Sequence, residues 1–331
     1  MKKVNIAVVG ATGMVGRTFL KVLEDRDFPY ENLYLFASAR SAGKELTCKG
    51  KTYKVEELTE NSFDREIDIA LFSAGGETSK RFAPIAASKG VTVVDNSSAW
   101  RMDPEVPLVV PEVNPGDIEW NKGIIANPNC STIQAVVALK PLYDAYGIER
   151  IVYSTYQAVS GSGVKGVADL EEGLKGNNTC KAYPHPIANN CLPHIDVFLE
   201  NGYTKEEMKM IDETKKIIGD DTLKITATTV RVPVFYSHSE SINVQLKKPF
   251  EVEDIKKLME DADGIVLMDN VSENIYPLAS IAAGTDPVYV GRIRRDFSIK
   301  NGLNLWVVAD NIRKGAATNT IQIAEKLVES L

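Results

Sequence analysis

Short, nearly unbroken apolar runs recur through the first part of the chain, each followed by a segment whose apolar positions return every three or four residues. Residues 4–9, 32–37, 67–72 and 91–95 are such runs and predict strands. Residues 14–26 carry Val15, Phe19, Val22 and Leu23 at helical spacing, and residues 79–89 also read as a helix. Strands apolar on both faces and separated by helices predict a parallel sheet covered on both sides. That is the doubly wound, Rossmann-type α/β architecture. After Leu142 the pattern changes. Residues 150–159, 223–234, 239–246 and 303–309 alternate, as strands of a mixed or mostly antiparallel sheet with one covered face do. Residues 205–218 and 253–260 read as amphipathic helices, and 315–331 as a final helix. The expectation is a Rossmann-type domain over 1–130, rejoined by the C-terminal helix 313–331, and an α+β domain over 131–312.

Composition narrows the function. A net charge of −7 over 331 residues argues against a general nucleic-acid binder. No apolar run is long enough to span a bilayer, so no membrane role is expected. The start, Met1-Lys2-Lys3, resembles a signal peptide, but Asn5 and Gly10 interrupt the apolar run, which reads as a first strand. Cys48, Cys130, Cys180 and Cys191 form no CxxC pair and are expected as reduced thiols of a cytoplasmic protein. Cys180, His185, Cys191 and His194 lie close in sequence, but Pro184, Pro186 and Pro193 interrupt spacings that match no zinc pattern, so no metal is expected.

The first predicted strand runs into Gly10-Ala11-Thr12-Gly13-Met14-Val15-Gly16 and then a helix. Glycines in a strand–turn–helix let the backbone approach a pyrophosphate lying on the helix N-terminus. An NAD site usually has a carboxylate at the end of the second strand, to hold the ribose 2′-hydroxyl. Here that end reads Ala37-Ser38-Ala39-Arg40-Ser41, and a guanidinium suits a 2′-phosphate, which favours NADP.

Candidate chemistry lies further along. Cys130 follows the turn-formers Asn127-Pro128-Asn129 and opens an apolar helix, where the dipole favours a thiolate. Position alone leaves it either a packing residue or a nucleophile. Arg231 lies mid-strand among apolar residues and needs an anion, from the protein or a ligand. His238, between Ser237 and Ser239, is placed between two strands, where it can project into a cleft. Gln157 sits near the end of a strand leading into Ser160-Gly161-Ser162-Gly163 and reads equally as an interior amide.

Together the stretches GATGMVG, ASARSAGK, LFSAGGETS, VVDNSSAWRMD, VPLVVPEVN, NPNCSTIQ, STYQAVSGSG, EEMKM, RVPVFYSHSESINV, GRIRRD and WVVADNIRKGAA resemble the aspartate-β-semialdehyde dehydrogenases, in order and over nearly the whole chain. The resemblance implies reductive dephosphorylation of 4-aspartyl phosphate to aspartate 4-semialdehyde through a cysteine thioester. It places that step in biosynthesis of lysine, diaminopimelate, threonine and methionine. It implies Cys130 as nucleophile, His238 as acid/base and Gln157 orienting the acyl group. It gives Arg231 to the substrate carboxylate, Glu206 to its ammonium, and Arg101 and Lys209 to phosphate. NADP would be held by Gly10, Thr12, Gly13, Met14, Val15, Ser38, Arg40, Ser41, Ala42, Ser73, Gly161 and Asn311. A cytoplasmic homodimer is implied, with the second domain catalytic and dimerising. The stretch between Leu174 and Pro193 is shorter than in many members. Two alternatives are another NADP-dependent acyl-phosphate reductase, of the N-acetylglutamyl phosphate type, and a non-catalytic NADP-binding regulatory protein.

The cofactor reading has a direct check. Arg40→Ala is expected to weaken NADP⁺ binding far more than NAD⁺ binding in parallel titrations. Equal losses would mean that Arg40 only supports the loop.

Overall fold

The computed structural model describes residues 2–330, which divide into two compact units, one of 2–128 with 316–330 and one of 129–315. The first unit begins with β1 (Val4–Val9), α1 (Met14–Asp25), β2 (Tyr30–Ala37), β3 (Glu45–Cys48) and β4 (Lys51–Glu57). It continues with β5 (Ile69–Phe72), α2 (Gly76–Ser88), β6 (Thr92–Asp95) and β7 (Ile124–Ala126). Among the described residues these strands form one seven-stranded sheet, ordered β3-β4-β2-β1-β5-β6-β7. All neighbours are parallel except β3 and β4, which form an antiparallel edge. β5, and β1 from Ile6 onward, are apolar throughout because both faces are covered. Ile6 and Val8 face a cluster with Phe19 and Leu23 of α1, while Ala7 and Val9 face one with Phe82, Ala83 and Ala86 of α2.

The second unit contains α3 (Cys130–Tyr146), β8 (Ile148–Gln157), α4 (Gly163–Leu174), α5 (Lys205–Ile218), β9 (Lys224–Arg231) and β10 (His238–Leu246). After these come α6 (Val252–Glu260), β11 (Ile265–Leu267), α7 (Ala279–Ala282), β12 (Val288–Asp296) and β13 (Gly302–Ala309). The sheet is mixed and six-stranded, ordered β11-β12-β13-β10-β8-β9. β8 and β9 run parallel, whereas β10 is antiparallel to both β8 and β13. Along β10, His238, Glu240, Ile242 and Val244 are buried and Ser241, Asn243 and Gln245 are partly exposed, so one face is packed and the other is not. A π-helical turn, Arg313–Thr318, leads into α8 (Asn319–Glu329). Ile321, Ala324 and Val328 of α8 join the first unit's cluster beside α1, and Arg26 grips Glu325 with two hydrogen bonds of 2.8 and 2.7 Å. The last segment therefore belongs to the Rossmann-type unit.

Several parts of this differ from the pattern reading, which also lacks α4, β11 and α7. β3 and β4 form a polar edge hairpin whose exposed positions outnumber its buried ones, so no apolar run announced it. β12 carries three arginines, Arg292, Arg294 and Arg295, and a register shift, which hide its alternation. The final helix starts with the π-helical turn instead of a regular first turn.

Gly10 fixes the first βα turn. Its φ is +86°, and a Cβ there would lie 2.3 Å from the Ser73 carbonyl oxygen. Gly10→Ala is therefore expected to destabilise the first unit by at least about 2 kcal/mol, read as a lowered urea midpoint. An unchanged midpoint would show that the turn relaxes freely.

Candidate active site

The second sheet brings several element ends to one edge. β8 and β9 are parallel and end together, with Gln157 opposite Arg231. β10 runs the other way and starts at the same edge, with Ser239 opposite Tyr156. α3 begins there with Cys130, and the first two turns of α5 bring Glu206 and Lys209.

Cys130 Sγ lies 3.2 Å from His238 Nε2. The other ring nitrogen, Nδ1, accepts the Ala158 N–H at 3.0 Å. The Ala158 carbonyl accepts Arg231 Nη1–H at 2.7 Å, so the residue after Gln157 touches both side chains. Asn129 caps α3: its Oδ1 accepts the N–H groups of Ser131 and Thr132 at 3.0 and 3.5 Å. Its side-chain amide donates to Glu206 Oε1 (3.0 Å) and its backbone N–H to Glu213 Oε2 (2.6 Å). Gln157 Nε2 donates to the same Glu206 oxygen at 3.1 Å, and Gln157 Oε1 accepts the Thr155 hydroxyl. Lys209 Nζ bridges Glu206 Oε2 (3.0 Å) and Asp196 Oδ2 (2.9 Å).

The electrostatics follow from burial. Desolvation alone would raise the Glu206 carboxyl, but Lys209, Gln157 and Asn129 more than offset it and hold it down at about 2. Burial, reinforced by the Arg231 guanidinium, pushes His238 down to about 3, against a partial pull from Glu206. Arg231 is only 4% exposed, and its Nε–H has no acceptor. A buried guanidinium with a spare N–H is a place for an anion. The cluster therefore holds a thiol–imidazole pair, a guanidinium and a carboxylate.

The structure brings together Cys130, His238, Gln157, Arg231, Glu206 and Lys209. Two placements need correction. His238 is the first residue of β10 and wholly buried, because strand pairing with β13 already includes it and pairing with β8 begins at Ser239. Arg231 ends β9 instead of sitting mid-strand, because the chain turns out of the sheet at Val232. The Glu206–Lys209 pair lies three residues apart on one helix, yet Glu206 is buried, so it is no solvated surface pair. Gly161 lies beside Arg231 and His238. Asn311 is buried, and its Oδ1 accepts the Ser160 hydroxyl (3.1 Å) and the Ser237 N–H (3.0 Å).

In the first unit, Arg101 is buried, with Nε donating to the Asn127 carbonyl (2.9 Å) and Nη2 to that of Asn96 (3.1 Å). Gly10, Thr12, Gly13, Met14 and Val15 lie between β1 and α1. Ser38, Arg40, Ser41 and Ala42 follow β2, the neighbour of β1, and Thr12 and Ser41 approach to 3.4 Å. Ser73 follows β5, the other neighbour, and donates its N–H to the Val9 carbonyl. These residues share the carboxyl edge of the parallel strands, the usual ligand position in such sheets. The α1 N-terminus has no side-chain cap and no acidic residue in its first turn, which leaves its amides available to an anion. No carboxylate stands between Ala37 and Ala42, and Arg40 is exposed.

Sequence reasoning missed Glu213, Ala158 and Gly315. A Cβ on Gly315 would come within 2.8 Å of the Cys130 Cβ, so the π-helical turn packs directly on the thiol-bearing residue. Glu213 had a signal: it is seven residues from Glu206, on the face shared with Met210 and Ile217. For Ala158 no signal exists, since a backbone N–H is common to every residue but proline. Among the described residues there is no group of three His, Cys, Asp or Glu suited to a metal, and no helix long and apolar enough to cross a membrane. None of the four cysteines is in a disulfide.

Two family models match the chain: the NAD binding domain of semialdehyde dehydrogenases over residues 5–121 and their dimerisation domain over 139–314. An aspartate-semialdehyde dehydrogenase of Aquifex aeolicus is 60% identical, over 98% of both chains. Among solved structures, aspartate semialdehyde dehydrogenase II of Vibrio cholerae complexed with ASA is 50% identical over 99% of both chains, with a TM-score of 0.96. The Candida albicans enzyme with NADP is 27% identical over 98% of both, with a TM-score of 0.78. The chain belongs to the aspartate-semialdehyde dehydrogenase family.

The buried carboxylate predicts an acid response. The Glu206 pKa is held below its ordinary 4.5, so its ionised form stabilises the fold above that pH, and this stability is lost as pH falls towards about 2. Glu206→Gln is expected to be less stable than the parent near neutrality, with the gap narrowing between pH 5 and 2 in urea melts. A gap independent of pH would mean that the carboxylate charge contributes nothing.

Proposed function

We propose that the protein interconverts 4-aspartyl phosphate and aspartate 4-semialdehyde, with NADP as hydride carrier and Cys130 as nucleophile. The carrying observation is that the Cys130–His238 pair shares one buried cluster with the unpaired Arg231 N–H and the ionised Glu206. A guanidinium and a carboxylate beside a thiol match the α-carboxylate and ammonium of an amino acid whose side-chain carbonyl is attacked. The Vibrio cholerae relative complexed with ASA supports this substrate class.

In the reductive direction the Cys130 thiolate displaces phosphate from the acyl carbon and forms a thioester; a serine would attack less readily, and its oxygen ester would give up the acyl group less readily. The amides of Ser131 and Thr132 at the start of α3 are taken by the Asn129 cap, and that of Asn129 by Glu213, so the developing oxyanion is not assigned to them. Gln157, fixed between Thr155 and Glu206, orients the acyl group. Arg101 and Lys209 are the proposed phosphate contacts, each cationic and partly or wholly withdrawn from solvent. In the first unit, the open α1 N-terminus fits a pyrophosphate and Arg40 a 2′-phosphate, with Ser38, Ser41, Ala42 and Ser73 around them. When bound, the cofactor supplies the hydride that converts the thioester to the aldehyde level. The Candida albicans relative with NADP supports NADP over NAD. A cytoplasmic homodimer serving lysine, diaminopimelate, threonine and methionine biosynthesis accords with the family. The partly exposed sheet face, with Tyr156, Ser241 and Trp306, is the proposed dimer surface. Glu206 weighs against an N-acetylated substrate, whose nitrogen carries no charge to pair.

The test is phosphate-dependent reduction of NADP⁺ with aspartate semialdehyde, repeated with NAD⁺. Cys130→Ser should fold and lose on the order of 10³-fold or more in turnover. Full activity in that variant would sink the mechanism. Arg231→Leu should raise the KM for semialdehyde roughly 10- to 150-fold, the worth of a charge-assisted contact, and leave that for phosphate much less changed.

A further inference from the structure

We propose that Glu213 is a positioning residue for the nucleophile: it holds the backbone that leads into Cys130 and so sets where the thiol stands against His238. This role rests on Cys130 being the nucleophile proposed above, and it acts through Asn129.

α5 carries a buried stripe. Glu206, Met210 and Glu213 follow one another at intervals of four and three residues, which places them along one helix face. That face lies along the start of α3. Glu206 Oε1 accepts the Asn129 side-chain amide at 3.0 Å, and Met210 Sδ meets the Thr132 hydroxyl at 3.7 Å. Glu213 is 1% exposed, and its Oε2 accepts the Asn129 backbone N–H at 2.6 Å. α5 is itself held in register. Thr204 and Glu207 form a capping box at its start, and Glu207 Oε1 accepts the Thr229 N–H of β9 at 3.1 Å. Further along, the Thr214 hydroxyl meets that of Tyr153 on β8 at 3.1 Å. The Glu213 carboxyl therefore stands on a rigid element tied to two strands.

Asn129 has every hydrogen-bonding group committed. Its Oδ1 caps α3, its side-chain amide donates to Glu206, and its carbonyl accepts the Ile133 N–H at 2.9 Å. Its backbone N–H belongs to no helix or strand ladder, and Glu213 receives it. The residue before is Pro128, which has no N–H, so this amide is the last backbone donor ahead of Cys130. Deprived of its acceptor, a buried N–H must turn to find another. That turn rotates the peptide one residue away from Cys130. The thiol meets His238 Nε2 at 3.2 Å, a contact that a displacement of about 1 Å would break. Arg231 is held from a different direction, by the Ala158 carbonyl at the end of β8. Loss of the Glu213 contact therefore slows the reaction of Cys130 more than it weakens the hold on the substrate carboxylate.

Two substitutions separate reach from charge. Glu213→Gln keeps an acceptor oxygen at the same reach without a carboxylate. Glu213→Asp keeps the carboxyl and withdraws it by one methylene. Cys130 is partly exposed, so its reactivity can be read directly. The first measurement is alkylation by iodoacetamide of the substrate-free protein near neutral pH, followed on the Cys130 peptide by mass spectrometry. Glu213→Gln should react within about threefold of the parent, and Glu213→Asp about tenfold more slowly. The second is steady-state kinetics. Glu213→Asp should lose about 10- to 100-fold in kcat, with the KM for aspartate semialdehyde changed by less than about threefold. A role in folding alone predicts that both variants, once folded, alkylate and turn over at the parental rate, with only the urea midpoint lowered. That result overturns the proposal, and so does a Glu213→Gln variant alkylated as slowly as Glu213→Asp. Alkylation needs no semialdehyde, so a failed semialdehyde assay and a failed positioning role are separately visible.

Discussion

A carboxylate withdrawn from water must be satisfied by its neighbours, and around Glu206 that requirement organises the second unit's chemistry. Its two oxygens receive Asn129, Gln157 and Lys209. Each of these is itself tied to something else: Asn129 to the first amides of α3, Gln157 to Thr155 on β8, Lys209 to Asp196. A single desolvated charge thus couples the start of α3, the end of a central strand and the first turn of α5. Breaking one partner would strand a buried charge, which costs more than the contact itself is worth.

The sheet converts this network into geometry. Because β8 and β9 are parallel and β10 antiparallel, two strand ends and one strand start meet at one edge. Gln157, Arg231 and His238 occupy those terminal positions, where the backbone leaves the ladder and has groups to spare. Ala158 uses that freedom: its N–H goes to the imidazole and its carbonyl to the guanidinium. The helix start supplies the remaining element, since Cys130 follows a capped N-terminus whose dipole favours negative charge.

Periodicity made much of the architecture legible. The first-unit strands are apolar on both faces, so their runs and the intervening helices stand out, and the change to alternation after Leu142 marks the second sheet. The chemistry was legible only in part. Glycine spacing, the missing carboxylate after the second strand and a cysteine at a helix start each carried a physical argument. The polar β3–β4 hairpin and the arginine-rich β12 escaped, because neither shows the contrast of buried and exposed positions on which pattern reading depends.

By itself, the sequence determined most strands and helices of the first unit, the main alternating strands of the second and the glycine turn after β1, since those depend on neighbours within a few residues. Family resemblance put names to the reactive groups. Only the tertiary structure decided that Arg231 keeps a spare N–H in a buried site, that Glu206 stays ionised there, and which nitrogen of His238 faces the thiol. Those properties come from contacts between groups dozens of residues apart and from a backbone amide that any residue but proline would supply. No local pattern encodes them; they arise when the strands pair and water is excluded.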